Sequence, residues 1–369
     1  MRQAGNSVIL MFESESSHLM LTLERFNNQP IDVPPTTVWY MADVAEARGK
    51  QELWTRQYPQ RLKTLREHAI IESAVSSNRI EGVTIDQTRV RSVVLGNQPL
   101  RDRNESEVRG YRDALKLIHE RAAELPVSVE TIRRLHSISR AEEPDGGRYR
   151  EHAMDIVETY ADGRRRVRFS AVDAGYVPIV MEKLVEQWHL SLRQRSVHPL
   201  LALAVMNLDF LCIHPFHDGN GRVSRLLWLL QCHQLGYEVG RYISLERLIE
   251  DAKDRYYETL EQSSGGWHQG NNDPWPYVNY SVYVLKSAYK ELEKRVGSTG
   301  SPRGEKRSVI LAAIDRAPGP FSASGLLADC PGVGLDFIRK TLARLKESGR
   351  VECIGRGRTA QWRKTAPRN

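Results

Sequence analysis

Two apolar stretches separated by one polar loop constrain this chain more than any other feature. HPLLALAVMNLDFLCI, residues 198–213, is apolar almost all the way round a helical circumference, and a helix of that kind has to lie at the centre of a packed core. RVSRLLWLLQCHQL, residues 222–235, reads as a second apolar helix that stops at Gly236. The connection HPFHDGNGRVSR, from His214 to Arg225, therefore starts and ends deep in the fold, although it holds two arginines, an aspartate and two histidines. Burying such groups costs several kcal/mol unless each finds a partner. A purely structural loop is a poor explanation for that cost.

The residue types of the loop point to a polyphosphate. Gly219, Asn220 and Gly221 precede a helix, so their backbone N–H groups and the positive end of the helix dipole can form an anion-binding nest. Arg222 and Arg225, three apart on the first turn, project in similar directions and can each take a phosphate. Asp218 suits a hard divalent cation such as magnesium, and His214 can take a proton near neutral pH. A zinc reading through His214, His217 and Asp218 lacks a further pair of ligands nearby and leaves the glycines unexplained.

A second motif, SSNRIEG at 76–82, ends a predicted helix over about 61–81. Ile71, Val75, Asn78 and Glu81 share one face, so Glu81 should point inward with the apolar stripe. Gly82 is a natural residue just past a helix C-terminus. A carboxylate there opposes the helix dipole and, if buried, needs a cation; an exposed glutamate at a frayed end is the plainer alternative.

The rest of the chain frames these motifs. A length of 369 residues predicts two or three domains. The four cysteines form no CxxC pair, and the N-terminal VILMF is too short for a signal peptide. No apolar run is long enough to span a bilayer. We therefore expect no membrane contact and a cytoplasmic location. Residues 1 to about 50 look like an irregular lead-in; helical periodicity runs over 60–81 and 105–123, and SVETIRRLHSIS reads as a helix whose Ser128 cap is weak. Asp162-Gly163 between strand-like runs predicts a hairpin. Helices return at about 178–193, at 198–213, after the loop and over 274–295.

VGSTGSPRG, 296–304, reads as a flexible linker. Residues 301–369 carry 14 Lys and Arg against 6 Asp and Glu, a net +8, whereas the whole chain is +7. The basic excess thus lies entirely in the tail, the electrostatic footprint of a polyanion-binding module. The tail's order is helix, helix, helix, hairpin, with Ile338, Leu342 and Leu345 on one face of the third helix and Arg339, Lys340, Arg344 and Lys346 largely off it. It resembles a winged helix-turn-helix, which implies contact with double-stranded DNA through residues 305–369; the alternative is a module that packs or dimerises without touching DNA.

The loop itself resembles the signature of the Fic family, HPFx[DE]GNGRxxR, at every fixed position, with GRYR before the hairpin and RYYETL after it in agreement. The resemblance covers roughly residues 60–290. It implies an all-α class: a Fic helical bundle with a small β-hairpin flap, here followed by the winged-helix domain. The expected division is an N-terminal helical region to 110, a core over 111–295, the linker, and the tail from 305. The resemblance also implies transfer of AMP from ATP to a Ser, Thr or Tyr hydroxyl of a target protein. His214 would be the base, Asp218 the magnesium ligand, and Gly219, Asn220, Gly221 and Arg222 the cradle of the α- and β-phosphates. Arg225 would take the γ-phosphate, and Tyr256 would line the adenine pocket. The flap at about 153–170 would hold the target as an added strand; here it is longer and more basic than the family's short form.

SSNRIEG matches the family's inhibitory motif [ST]xxxE[GN], with Ser77 first and Glu81 last. This implies a bidentate Glu81–Arg225 pair that blocks the γ-phosphate position. Two other readings stay open: a DNA-binding regulator with a nucleotide-sensing core, and an enzyme that removes AMP. Neither the target nor the oligomeric state is legible, and a homodimer is left open.

Overall fold

The computed structural model describes residues 19–365 apart from 97, 142, 160–162, 298–304, 318, 331, 332 and 356–359. Most of the expected linker, Asp162 of the expected hairpin turn, and 356–359 of the expected wing therefore lie outside the described residues.

The chain divides into two compact units. One comprises residues 1–52 and 60–293, the other 53–59 and 294–369. Among the described residues no helix is long and apolar enough to cross a membrane.

At the centre of the first unit lies α8 (Pro199–Ile213), buried at every position from Leu200 to Ile213, as its all-round apolar sequence requires. Packed about it are α7 (Val177–Gln194), α9 (Asn220–Gln234) and the short α1 (Thr22–Asn28). The remaining helices of this unit are α2 (Pro35–Gln57), α3 (Pro59–Ile80), α4 (Val90–Leu95), α5 (Arg103–Arg121), α6 (Val129–Ser139), α10 (Leu245–Asp251), α11 (Lys253–Ser264) and α12 (Trp275–Gly297), apart from residues 53–57 of α2, Pro59 of α3 and 294–297 of α12, which belong to the second unit. In α6 the Ser128 cap forms after all: its Oγ accepts the Thr131 N–H at 3.2 Å. No Glu is needed three residues on to return the bond.

One expectation for the N-terminal region needs correction. Of the expected irregular lead-in, residues 1–18 lie outside the described residues, and Thr22–Asn28 and the residues from Pro35 onward are helical. Leu21, at the start of α1, has no side chain able to cap it; the cap comes from Asp209 in the middle of α8, whose carboxylate accepts the Thr22 and Leu23 N–H groups at 3.1 and 2.8 Å. Those are two of the orphan donors that every helix start presents. Helix α2 escaped notice because its apolar residues do not form one stripe: Thr37 and Val44 are buried while Trp39 is 71% exposed. Residues 1–52 and 60–110 fall in the same compact unit as the core, and residues 53–59 in the other.

Strands β1 (Asp155–Thr159) and β2 (Arg165–Ser170) pair antiparallel with a bulge between Ile156 and Val157. Phe169 stacks on His268 at 5.1 Å, and Arg166 meets Glu261 of α11 at 2.5 Å.

In the second unit, α13 (Glu305–Arg316), α14 (Ala323–Asp329) and α15 (Leu335–Glu347) share a core with a small antiparallel sheet. Ile338, Leu342 and Leu345 are buried there, as their spacing predicts. The sheet holds β3 (Phe321–Ser322), β4 (Val351–Ile354) and β5 (Gln361–Lys364) in the order β3-β5-β4. The sequence pattern missed β3, because two residues are too few to show a period.

Asp209 also accepts the Trp267 Nε1–H at 2.6 Å, so replacing it strands three buried donors. Asp209→Ala is expected to cost about 3 kcal/mol of stability. Thermal melting beside Asp209→Asn, which keeps one acceptor and should lose less, tests this; an unchanged melting temperature for the alanine variant would remove Asp209 from the role.

Candidate functional site

A cavity of about 740 Å³ opens between the β1–β2 hairpin, α11 and the junction of α8 with α9. Leu208, Leu211, Cys212, Ile156, Val157 and Phe169 make one side apolar, with Tyr256 and Tyr257 beside them. His214, Gly221 and Glu81 lie at its polar end.

His214 ends α8 in the left-handed region, with φ 51°. Such a backbone costs a non-glycine residue about 1 kcal/mol. It is held by its own N–H on Phe210 O at 3.0 Å and by Arg150, whose Nε donates to His214 O at 2.9 Å. The imidazole Nδ1 stands 3.3 Å from Leu211 O; a donor to that carbonyl leaves Nε2 with the lone pair. Burial lowers its pKa to about 4, against the raising effect of Leu211 O, Glu81 and Asp218, and Arg150 adds to the lowering. The ring is therefore neutral at pH 7 and able to accept a proton.

Glu81 follows the last residue of α3, and Gly82 beyond it has φ 83°, the left-handed turn that stops a helix. This points the Glu81 side chain, 27% exposed, at the start of α9, where its Oε1 accepts from Arg225 Nη2 at 2.7 Å. The contact is through one oxygen, not two as expected. The rest of the Arg225 guanidinium is turned to Ser77, with Nε on Ser77 Oγ and Nη2 on Ser77 O, both at 2.9 Å. Arg225 Nη1 is buried with no hydrogen-bond partner in the described structure. Burial works against the charge of Arg225, but the Glu81 carboxylate and the facing Tyr256 and Tyr111 outweigh it, and its pKa is raised. A β-carbon at 221 would collide with the Glu81 carboxylate where it now lies, so the glycine there lets Glu81 sit directly against the start of α9.

The expected cradle is only partly assembled around this cavity. Arg222 and Arg225 were expected to project together, and they diverge. Arg222 is fully buried and donates to Glu107 Oε2 of α5 at 2.7 Å. Glu107 also takes Arg140 at 2.9 Å. Arg222 is drawn to Glu107 of α5, with Asn78 of α3 at 3.4 Å, whereas Arg225 is drawn to Ser77 of α3 and Glu81 just past it. Asn220 uses its side chain to close the loop, accepting from Phe216 N at 2.9 Å and donating to Phe216 O at 2.7 Å. The Gly219 N–H, expected to be open for an anion, is taken by Asp218 Oδ1 at 2.6 Å.

Asp218 itself faces a second cavity, with His217, Arg103, Arg140, Glu143 and Asp145. Its Oδ2 lies 2.7 Å from Arg140 and 3.4 Å from Arg222. Burial raises its pKa, but Arg222 and Arg140 outweigh that and the net shift is downward. With its oxygens on guanidinium and amide donors, this carboxylate does not fit magnesium as arranged. Among the described residues no three His, Cys, Asp or Glu converge on a metal position. The zinc reading fails on geometry as well, since His214 and His217 line different cavities.

Tyr256 is buried in a ring cluster with Tyr257, Tyr277 and Tyr280 at 5.2, 6.3 and 5.9 Å. It is thus both a core aromatic and part of the cavity wall.

Sequence reasoning missed several supports of the loop. His136 accepts the Gly147 N–H on Nδ1 at 2.8 Å, places Nε2 2.9 Å from Asp218 O, and stacks on Phe216 at 3.8 Å. Glu107, Arg140 and Arg150 were likewise unassigned. The only signal for Arg150 was its place in GRYR directly before the hairpin.

Several known proteins are similar to this chain. A protein adenylyltransferase Fic of Nematostella vectensis is 24% identical over 261 residues, covering 67% of this chain and 54% of the relative. That of Drosophila virilis is 27% identical over 225 residues, covering 59% of this chain and 42% of the relative. The chain spans about half the length of these curated relatives. Among solved structures, a Fic family protein from Desulfovibrio desulfuricans G20 has a similar fold, with a TM-score of 0.60 at 24% identity over 93% of this chain and 99% of that one. Residues 126–232, which contain His136, Arg150, the hairpin and the whole loop from His214 to Arg225, match the Fic/DOC family.

Proposed function

We propose that this chain transfers AMP from ATP to a hydroxyl of a target protein, and that Glu81 holds the resting molecule off. The observation that carries this is the Glu81 carboxylate itself. It is an anion lying against Gly221 and Arg225 at the positive end of α9, in the same cavity as His214. A site that holds an internal anion at a helix N-terminus suits an external one, such as a phosphate oxygen. The unpartnered Arg225 Nη1, beside Gly221, is a donor still available to it.

In this reading His214 Nε2 takes the proton of the target hydroxyl, the oxygen attacks the α-phosphorus, and diphosphate leaves as the bond to its bridging oxygen breaks. The apolar side of the cavity, with Tyr256, would hold the base. The hairpin edge would hold the target chain as an added strand. Magnesium would arrive with ATP. Holding 99% of molecules off requires about 2.7 kcal/mol, and a hydrogen bond to a charged group is worth about 1.5–3 kcal/mol. One Glu81 contact, seated by the Ser77 bonds to the same guanidinium, is of the right size.

Glu81→Gly is expected to raise protein labelling by ATP radiolabelled at the α-phosphate by about tenfold or more. No rise would end the inhibitory assignment. In that background His214→Ala should abolish labelling, and retained transfer would take the base role from His214. Removal of AMP is the related alternative, with Glu81 orienting water toward His214; an AMP-bearing protein that loses its label faster with Glu81 present would favour it.

A second reading concerns residues 305–369. Arg339, Lys340, Arg344 and Lys346 are exposed on α15 away from its buried stripe, which supports a winged-helix module on duplex DNA. A band shift on duplex DNA that weakens steeply with salt, and weakens further in Lys340→Glu/Arg344→Glu, is expected. Binding by neither form at low salt would exclude it.

A further inference from the structure

Arg150 is a buried cation whose hydrogen-bond acceptors, among the described residues, are all backbone carbonyls. Its residue exposure is 5%. Nε donates to His214 O at 2.9 Å and Nη1 to His152 O at 2.8 Å. Nη2 donates to Val172 O and lies 3.4 Å from Ile213 O. Its own N–H donates to Pro215 O at 3.0 Å. His152 and Val172 flank the β1–β2 hairpin, one at each root, while Ile213 and His214 are the last residues of α8 and the first of the loop.

We infer that Arg150 is a positioning residue that sets His214 and both roots of the hairpin in one geometry, so that base and flap move as a unit. The inference rests on the AMP-transfer reading for its kinetic part only. Three physical points support it. The C-terminus of α8 presents carbonyls and the negative end of its dipole, which a buried guanidinium satisfies without a carboxylate. Only the planar fork of arginine can serve three separated carbonyls at once; a lysine ammonium is a single point. And His214, in a left-handed conformation, depends on an outside donor to its carbonyl to stay there. A guanidinium that merely ended the helix would have no reason to reach both hairpin roots.

Two variants separate positioning from simple stability. Arg150→Lys keeps the charge and loses the fork, whereas Arg150→Gln keeps two donors and loses the charge. In the Glu81→Gly background, both are expected to lower kcat for AMP transfer about 100-fold, the size of a roughly 1 Å misplacement, while KM for ATP stays within about twofold. His214 ring titration by NMR is read in parallel on Arg150→Lys and Arg150→Gln without the Glu81 change. The charges facing that ring are Arg150, Glu81 and Asp218. The midpoint should stay near 4 in Arg150→Lys and rise in Arg150→Gln, because removing a nearby cation eases protonation. Parental kcat in folded Arg150→Lys, or an unmoved midpoint in folded Arg150→Gln, overturns the inference. If the Glu81→Gly protein transfers no AMP, the AMP-transfer reading fails by itself, and the ring titration still decides for or against Arg150. If Arg150→Gln does not fold, the kinetics of Arg150→Lys decide alone.

Discussion

Four guanidinium groups, Arg140, Arg150, Arg222 and Arg225, are buried around one twelve-residue loop, each no more than 5% exposed. Charges removed from water must be met inside the protein, and that requirement organises everything near the site. Glu107 of α5 serves both Arg140 and Arg222. Ser77 and Glu81, on and just past α3, serve Arg225. The N-terminal helices are thus part of the electrostatic closure of the loop and share one compact unit with it.

The same requirement gives the loop two unlike faces. On the side of Arg222, the charges are matched within the protein by Glu107 and Asp218, and the second cavity there is lined by groups of both signs. On the side of Arg225 the carboxylate that meets the guanidinium stands at the edge of a cavity that His214 also lines. Each side leaves buried guanidinium nitrogen without a partner among the described residues, Nη1 of Arg225 on one and Nε of Arg140 and Arg222 on the other, so the two faces differ in the cavity each meets and not in how fully the charges are met.

A further constraint comes from α8. Because it is buried all round, its last turn has no water to hydrogen-bond its carbonyls, and donors must be brought from elsewhere. Arg150 brings them, and its reach to both hairpin roots ties the position of the flap to that of His214. Asp209 does the converse for α1, supplying acceptors to its first N–H groups from the middle of the core helix. In both cases a backbone end in the interior is completed by a side chain far away in sequence.

What the sequence determined by itself was whatever depends on neighbours along the chain. The all-round apolar stretch at 198–213 dictated a central helix; the twelve-residue loop dictated a polar connection that carries His214 and two arginines into the core. The Gly82 stop directed Glu81 inward, and the stripe of Ile338, Leu342 and Leu345 dictated the core of the basic tail. Periodicity and backbone chemistry are local, so they are legible in a string of letters. Only the tertiary structure decided which arginine met which carboxylate, that Asp218 turned to Arg140 and not into the cavity with His214, and that Arg150 and His136 brace the loop. Arg225 and Glu81 lie 144 positions apart, Arg140 and Asp218 78 apart, and buried charges choose partners by distance in space, which no local pattern records.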